Sequence, residues 1–204
     1  MVSLKKIVLA SKSIDRSWLL KQAGISFEVI ATNIDEEKYK TKISDPIELS
    51  KELAKAKALY AKNLVIKDDF DCTIIAADTI VEFDREIIGK AENEEHAFEI
   101  LKKLIGKSHN LITGIAITDT NMSKIIVDYD ITSVEFLSLS DKEISEYIKT
   151  NEWKGRAGAY SIRDKASLFI NKINGSSSNV MGLPMQKLYK ILKKEFNVNL
   201  FQMN

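Results

Sequence analysis

Asp78 is the residue in this sequence that most demands a chemical explanation. It interrupts the run TIIAADTIV, with Ile74, Ile75, Ala76 and Ala77 before it and Ile80 and Val81 after it. A carboxylate in such surroundings is costly unless it is paired, hydrogen-bonded or ligating a cation. Acids set between β-branched residues are also poor turn material. The pattern therefore points to a working carboxylate, with a bulge-capping acid bonded to Thr79 as the structural alternative. Lys90 follows in IIGKA, just after a hairpin pattern, and a two-strand return would bring it back towards Asp78. A lysine there could neutralise a phosphate; an exposed lysine at a strand end is the plainer reading.

A second candidate lies near the start of the chain, where LASKSIDRSWLL reads as a strand, a polar loop and a helix. A helix N-terminus offers free N–H groups and a positive dipole end, so Ser11, Lys12 and Arg16 could hold a phosphate. Ser13 could equally be an N-cap worth about 1 kcal/mol to the helix. Asp15 would repel an anion unless it faces away. The segments GRAGAYSIRD and NGSSSNVMGLP are rich in small residues in a chain with only eight glycines. Such segments let backbone approach a ligand closely, or simply make tight turns. No GxxxxGK[ST] loop, no GxGxxG after a strand, no GxSxG elbow and no HExxH pair can be written.

The elements that must position these residues alternate along the whole chain. The first helix should stop at Gly24. SFEVIATNIDEE alternates like a strand and runs into the acids Asp35, Glu36 and Glu37. Pro46 opens a helix with apolar residues at helical spacing, and DCTIIAADTIVEF reads as a long buried strand. FDREIIGKA supplies a hairpin turn and return. Asn93 caps a helix that Gly106 stops. HNLITGIAITD and KIIVDYDITSVEFLSLS are strands parted by a turn at Thr120 to Ser123. Ser140 and Glu143 form a capping box, ASLFINKING is a strand, SSSN a loop, and Pro184 opens the last helix. Without a strict βαβ repeat, the expected fold is a mixed α/β sheet rather than a regular doubly wound one. With no repeat and no low-complexity linker, the chain is expected to fold as one unit, as one domain or two intimate lobes.

Composition narrows the function. The 204 residues, 45% hydrophobic and 29% charged, suit a soluble globular protein with a sizeable core. A net charge of +1 argues against a nucleic-acid partner. Lys51, Lys55, Lys57 and Lys62 read as the solvated face of a helix. No apolar run approaches the roughly 20 residues of a membrane span, and Met1 to Lys6 lack the features of a signal peptide. The single cysteine, Cys72, cannot form an internal disulfide and fits a buried thiol in a reducing cytoplasm. With only His96 and His109, a histidine-rich metal centre is almost excluded.

Taken in order, LASKSIDRSWLL, NIDE, ELAKAKA, AADTIV, GKAENEEHAFEILKKLIGKSHNLITGIAI, TSVEF, GRAGAYSI and INGSSSNVMGLP resemble the Maf family of nucleotide pyrophosphatases over essentially the whole chain. The resemblance implies a single Maf-like domain over residues 1–204. Its fold would be α/β, a mixed, twisted sheet flanked by helices in an elongated, two-lobed, inosine-triphosphatase-like architecture with a deep central cleft. It implies a cytoplasmic hydrolase, commonly a homodimer. With a divalent cation, Mg²⁺ or Mn²⁺, such an enzyme splits a nucleoside triphosphate into monophosphate and pyrophosphate. Known members act on dTTP and UTP or on modified nucleotides, and the family is linked to arrest of septum formation. Neither a nucleic-acid nor a membrane partner is implied.

By the same resemblance, Ser11 and Arg16 match the phosphate-binding loop and Asp78 the general base. Lys57 and Lys90 match the lysines of KA and GK. Glu36 matches an acid that could ligate metal together with Asp78, and Thr79 a position tied to base selection. The family's usual SPRR is here SIDR, so that Asp15 replaces an arginine. The family's GKP is here GKA. Arg163 stands where the dTTP/UTP subgroup has glutamine. Asp15 and Arg163 are opposite charges at positions linked to specificity, so they are expected to pair or jointly to reshape the base pocket. The competing expectation is a nucleotide-binding regulator of septum formation whose altered loop has lost catalysis; the retained Asp78, Lys57 and Lys90 speak against it.

Overall fold

The computed structural model describes residues 6–67, 71–121 and 123–202. Residues 1–5, read above for a leader, and Met122, in the turn expected from Thr120 to Ser123, lie outside the described residues. Strand β1 (Lys6–Leu9) leads through a polar loop into helix α1 (Ile14–Gln22). Ser13 caps it, its hydroxyl accepting the Arg16 N–H at 3.4 Å. The helix closes at Gly24, as its sequence predicts, with Gly24 N–H bonded to Lys21 O and Ile25 N–H to Leu20 O, both at 3.0 Å.

Strand β2 (Glu28–Val29) is much shorter than SFEVIATNIDEE suggests. It lies at the sheet edge and pairs in parallel only with Val8 and Leu9, where β1 itself ends. The acidic run starts the short helix α2 (Glu37–Lys40), and Pro46 begins helix α3 (Pro46–Lys67) as expected. Strand β3 (Cys72–Phe83) runs parallel to β1. It returns antiparallel as β4 (Glu86–Ile88) through Asp84 and Arg85, both at positive φ, the geometry of a two-residue hairpin.

Helix α4 (Glu94–Leu104) is capped by Asn93, which accepts the His96 N–H at 2.8 Å. Strands β5 (Ser108–Asp119) and β6 (Ile125–Phe136) follow, then α5 (Asp141–Ile148) with the expected capping box. ASLFINKING is only partly strand. Lys165–Leu168 form a 3-10 turn, and β7 (Ile170–Asn174) begins where its partner β6 offers Phe136. The SSSN segment is the short helix α6 (Ser177–Val180) rather than a loop. Asn179 anchors it by donating to Leu111 O and Thr132 Oγ1, each at 3.0 Å. Helix α7 (Met185–Glu195) follows Pro184.

The seven strands form one mixed sheet in the order β2-β1-β3-β5-β6-β7, with β4 beside β3. The chain divides into two compact units. The first holds the residues up to Asp78, Thr113–Asp130 and those from Gly182 on; the second holds Thr79–Ile112 and Ile131–Met181. In the first, Ala54, Ala58, Ala61 and Val65 of α3 pack on Val8, Ala10, Ile74, Ala76 and Ala116, with Cys72 fully buried among them. In the second, Phe136 packs edge-on against His109, Tyr160 and Phe169. Among the described residues no helix is long and apolar enough to cross a membrane.

Candidate active site

Parallel pairing of β1 and β3 sets the frame of the site. Leu9 is in register with Ile75, and Ala10 N–H donates to Ile75 O at 2.8 Å. Ser11, two residues past Leu9, lies just beyond the carboxyl end of β1, and Asp78, three past Ile75, lies beside that end in the stretch of β3 that runs on past its pairing with β1. That edge is where open α/β sheets place their ligands.

Lys57 is delivered by α3. The helix buries Leu49, Leu53, Ala54, Ala58 and Ala61 at three- and four-residue spacing, and Lys57 lies on that same stripe rather than on a solvated face. Lys51 and Lys55 meet the expected pattern, pairing along the surface with Glu48 and Glu52, whereas Lys62 donates to Asp119 O at 2.8 Å. The approach of α3 depends on Gly114 of β5. A Cβ there would lie 2.3 Å from Ser50 O, so only glycine admits the helix backbone. Small residues on one side and no side chain on the other bring the Lys57 ammonium down to the interior of β3.

At that point it meets two carboxylates. Lys57 Nζ lies 2.5 Å from Asp78 Oδ1 and 2.8 Å from Glu36 Oε1, with the Lys57 and Asp78 side chains each only 11% exposed. Asp78 is thus an ion-pair partner. Glu36 reaches the same ammonium from the start of α2.

Arg16 is the second buried cation. Its Nε donates to Gly182 O at 2.7 Å and its Nη1 to Ser11 Oγ at 2.9 Å. Burial pulls the guanidinium below its ordinary value, against the opposing charges of Asp78, Glu36 and Asp15. It nonetheless stays charged at any ordinary pH. Ser11 Oγ also accepts the Ser13 N–H at 3.2 Å. A hydroxyl has two acceptor lone pairs and one proton. With both lone pairs taken, the Ser11 O–H is left as a donor, the polarity an anion needs. Asp15 is buried in the first turn of α1, where the helix dipole favours a carboxylate.

Sequence reasoning missed two contributors. Gly182 holds the Arg16 fork through its carbonyl, so part of the NVMGLP segment approaches a side chain of the site. Lys40 stands four residues after Glu36, one turn along α2. Its hydrogen bond to Glu37 raises its ammonium, opposed by burial, with Glu37, Glu36 and Asp78 adding to the rise. The four-residue spacing from Glu36 was the signal available for it.

Ser11, Asp15, Arg16, Glu36, Lys57 and Asp78 all belong to the first unit; Thr79, Lys90 and Arg163 belong to the second. There, Lys90 is exposed and pairs as a bridge with Ala157, while Gly158 N–H donates to Gly89 O at 3.2 Å. The small residues of GRAGAY serve close packing within that unit: a Cβ on Gly158 would sit 3.2 Å from both Val81 and the Tyr160 ring.

Among the described residues no group of three or more His, Cys, Asp or Glu side chains is placed to hold a metal ion. Glu36 and Asp78 nevertheless converge on one cation. Two carboxylates suit Mg²⁺, which takes one or two of them and draws its remaining oxygens from substrate phosphates and water.

Comparison with known proteins finds relatives of this chain. A family model described as Maf-like protein matches residues 6–195. A dTTP/UTP pyrophosphatase of Alkaliphilus oremlandii is 47% identical over 197 residues, covering 97% of this chain and 100% of that protein. One from Clostridium tetani is 43% identical, covering 95% and 98%, and one from Aquifex aeolicus 40% identical, covering 93% and 95%.

Proposed function

The chain belongs to the Maf family, and from that premise we propose that it hydrolyses the α–β phosphoanhydride of a nucleoside triphosphate, releasing monophosphate and pyrophosphate. The relatives named for dTTP and UTP make these the first substrates to test. The observation that carries the reading is the convergence of Glu36, Lys57 and Asp78 beside the carboxyl end of β1, where Ser11 and Arg16 also stand.

Water attacks the α-phosphorus and pyrophosphate leaves. Such a reaction chiefly needs positioning and neutralisation of phosphate charge. The Ser11 O–H donates to a phosphate oxygen, and Arg16, locked by Gly182 and Ser11, supplies fixed positive charge without reorganising. Lys57 and Lys40 add mobile positive charge. Asp78 orients the water and takes its proton, the work of a general base. Glu36 and Asp78 would hold a divalent cation, whose chemistry there is neutralisation of the triphosphate. Lys90 as a phosphate ligand, and Asp15, Thr79 and Arg163 as determinants of base choice, enter through the family resemblance alone.

The test is a panel of canonical and modified triphosphates with Mg²⁺ or Mn²⁺, scored for pyrophosphate separately from orthophosphate. Pyrophosphate as the first product is expected. Orthophosphate first would mean a different phosphohydrolase, and no turnover on any triphosphate would mean a binder.

A further inference from the structure

We infer that Lys57 is an internal stand-in for the divalent cation: its ammonium fills the position between Glu36 and Asp78, so the protein without nucleotide binds metal weakly and takes its cation together with the triphosphate. The inference rests on the proposed function only for the identity of the anion.

The geometry carries it. One ammonium lies within hydrogen-bond distance of one oxygen from each carboxylate, 2.5 and 2.8 Å away. A Mg²⁺ ion held between these two carboxylates, with an oxygen of each at about 2.1 Å, would lie beside the ammonium and set like charges close together. The Lys57 stem lies on the buried stripe of α3 with Leu53, Ala54, Ala58 and Ala61, which keeps its ammonium at the site even when its partner changes.

The charge inventory points the same way. Asp15, Glu36 and Asp78 set their negative charge against the Arg16 guanidinium, and the last two are already engaged by Lys57. Lys40 is already paired with Glu37 at 2.7 Å. No third carboxylate completes a metal site among the described residues. A triphosphate changes both sides of this balance. Its oxygens complete the cation's shell, and its negative charge gives Lys57 a new partner at the mouth of the site. Lys57 then passes from the carboxylates to the phosphates as the cation takes its place.

The experiment measures Mn²⁺ binding, read from the EPR signal of the free ion, on the parent and on Lys57→Met without nucleotide. Lys57→Met is expected to bind Mn²⁺ at least tenfold more tightly, since two facing carboxylates lose their counterion. The parent should gain at least tenfold when α,β-methylene-dTTP is added. Lys57→Gln, which keeps a hydrogen-bonding end, reads the same effect if the Met variant fails to fold, and thermal melts identify folded material. Unchanged or weaker Mn²⁺ binding in the folded variants overturns the inference, as does a parent that binds Mn²⁺ equally well with and without the analogue. Tighter binding in the variants with no pyrophosphate release by the parent on any triphosphate would sink the proposed activity and leave the Lys57 inference standing.

Discussion

Lys57 and Asp78 meet at 2.5 Å although one stands in the middle of α3 and the other in the interior of β3, 21 residues later. Their contact makes the docking of α3 on the sheet a determinant of the site's chemistry. Because both side chains are 11% exposed, loss of either partner leaves a charge in a poorly solvated place. Glu36 is the reserve that keeps Lys57 paired.

Asp78→Asn tests the base directly. Turnover is expected to fall by about 10²-fold or more, the scale of general-base loss. The fold should survive, because Lys57 keeps its 2.8 Å contact with Glu36. Pyrophosphate release and a thermal melt together decide it. Near-parental turnover in a folded variant removes Asp78 from the mechanism.

Gly114→Ala tests the positioning of α3. The new methyl would lie 2.3 Å from Ser50 O, so the helix must shift or the strand must bend, at a cost of about 2 kcal/mol. Both the melting temperature and turnover should drop, because Lys57 travels with the helix. A variant that keeps parental turnover would show that Lys57 does not depend on this approach.

His109 predicts how stability depends on pH. It is buried, its Nε2 lies 2.9 Å from Tyr160 Oη, and its Nδ1 has no hydrogen-bond partner among the described residues. Burial lowers its pKa from 6.5 to about 4. Between those values the unfolded chain holds the proton and the folded chain does not. Stability is therefore full above about pH 6.5 and falls as pH drops towards 4, by on the order of 3 kcal/mol. Urea unfolding at pH 7.5 and pH 4.5 reads the loss, and His109→Phe should reduce it. An unaltered pH dependence in that variant would assign the acid sensitivity to other groups.

Asp15→Arg and Arg163→Gln test base choice. Each restores a residue type that the family resemblance implies at its position, and each is expected to change the ratio of kcat/KM between dTTP or UTP and other triphosphates. If neither variant changes the ranking across the panel, these two positions do not set specificity in this chain.

Much of this molecule was legible before folding. Caps at Ser13, Asn93 and Ser140, the stop at Gly24 and the hairpin after Phe83 are local, because each is satisfied by hydrogen bonds within a few residues. Strand ends were less legible. The lengths of β2 and β7 depend on where β1 and β6 run out, which no window of sequence contains. Asp78 could be singled out because an acid within an apolar strand is costly wherever it lies, and the order of short motifs pointed to the family.

What only the tertiary structure decided is which charges meet. The spacing of Lys51, Lys55, Lys57 and Lys62 reads as a solvated row until α3 is laid on the sheet. Then the helical period turns Lys57 inwards with Leu53, Ala54, Ala58 and Ala61. Gly182 closes on Arg16 across 166 residues of sequence, and Lys40 comes under the influence of Asp78 only once α2 is placed. Sequence by itself determined which residue types were present and which local elements carry them. Distances between charges, and hence the site's electrostatics, arise from long-range packing that local propensity does not encode.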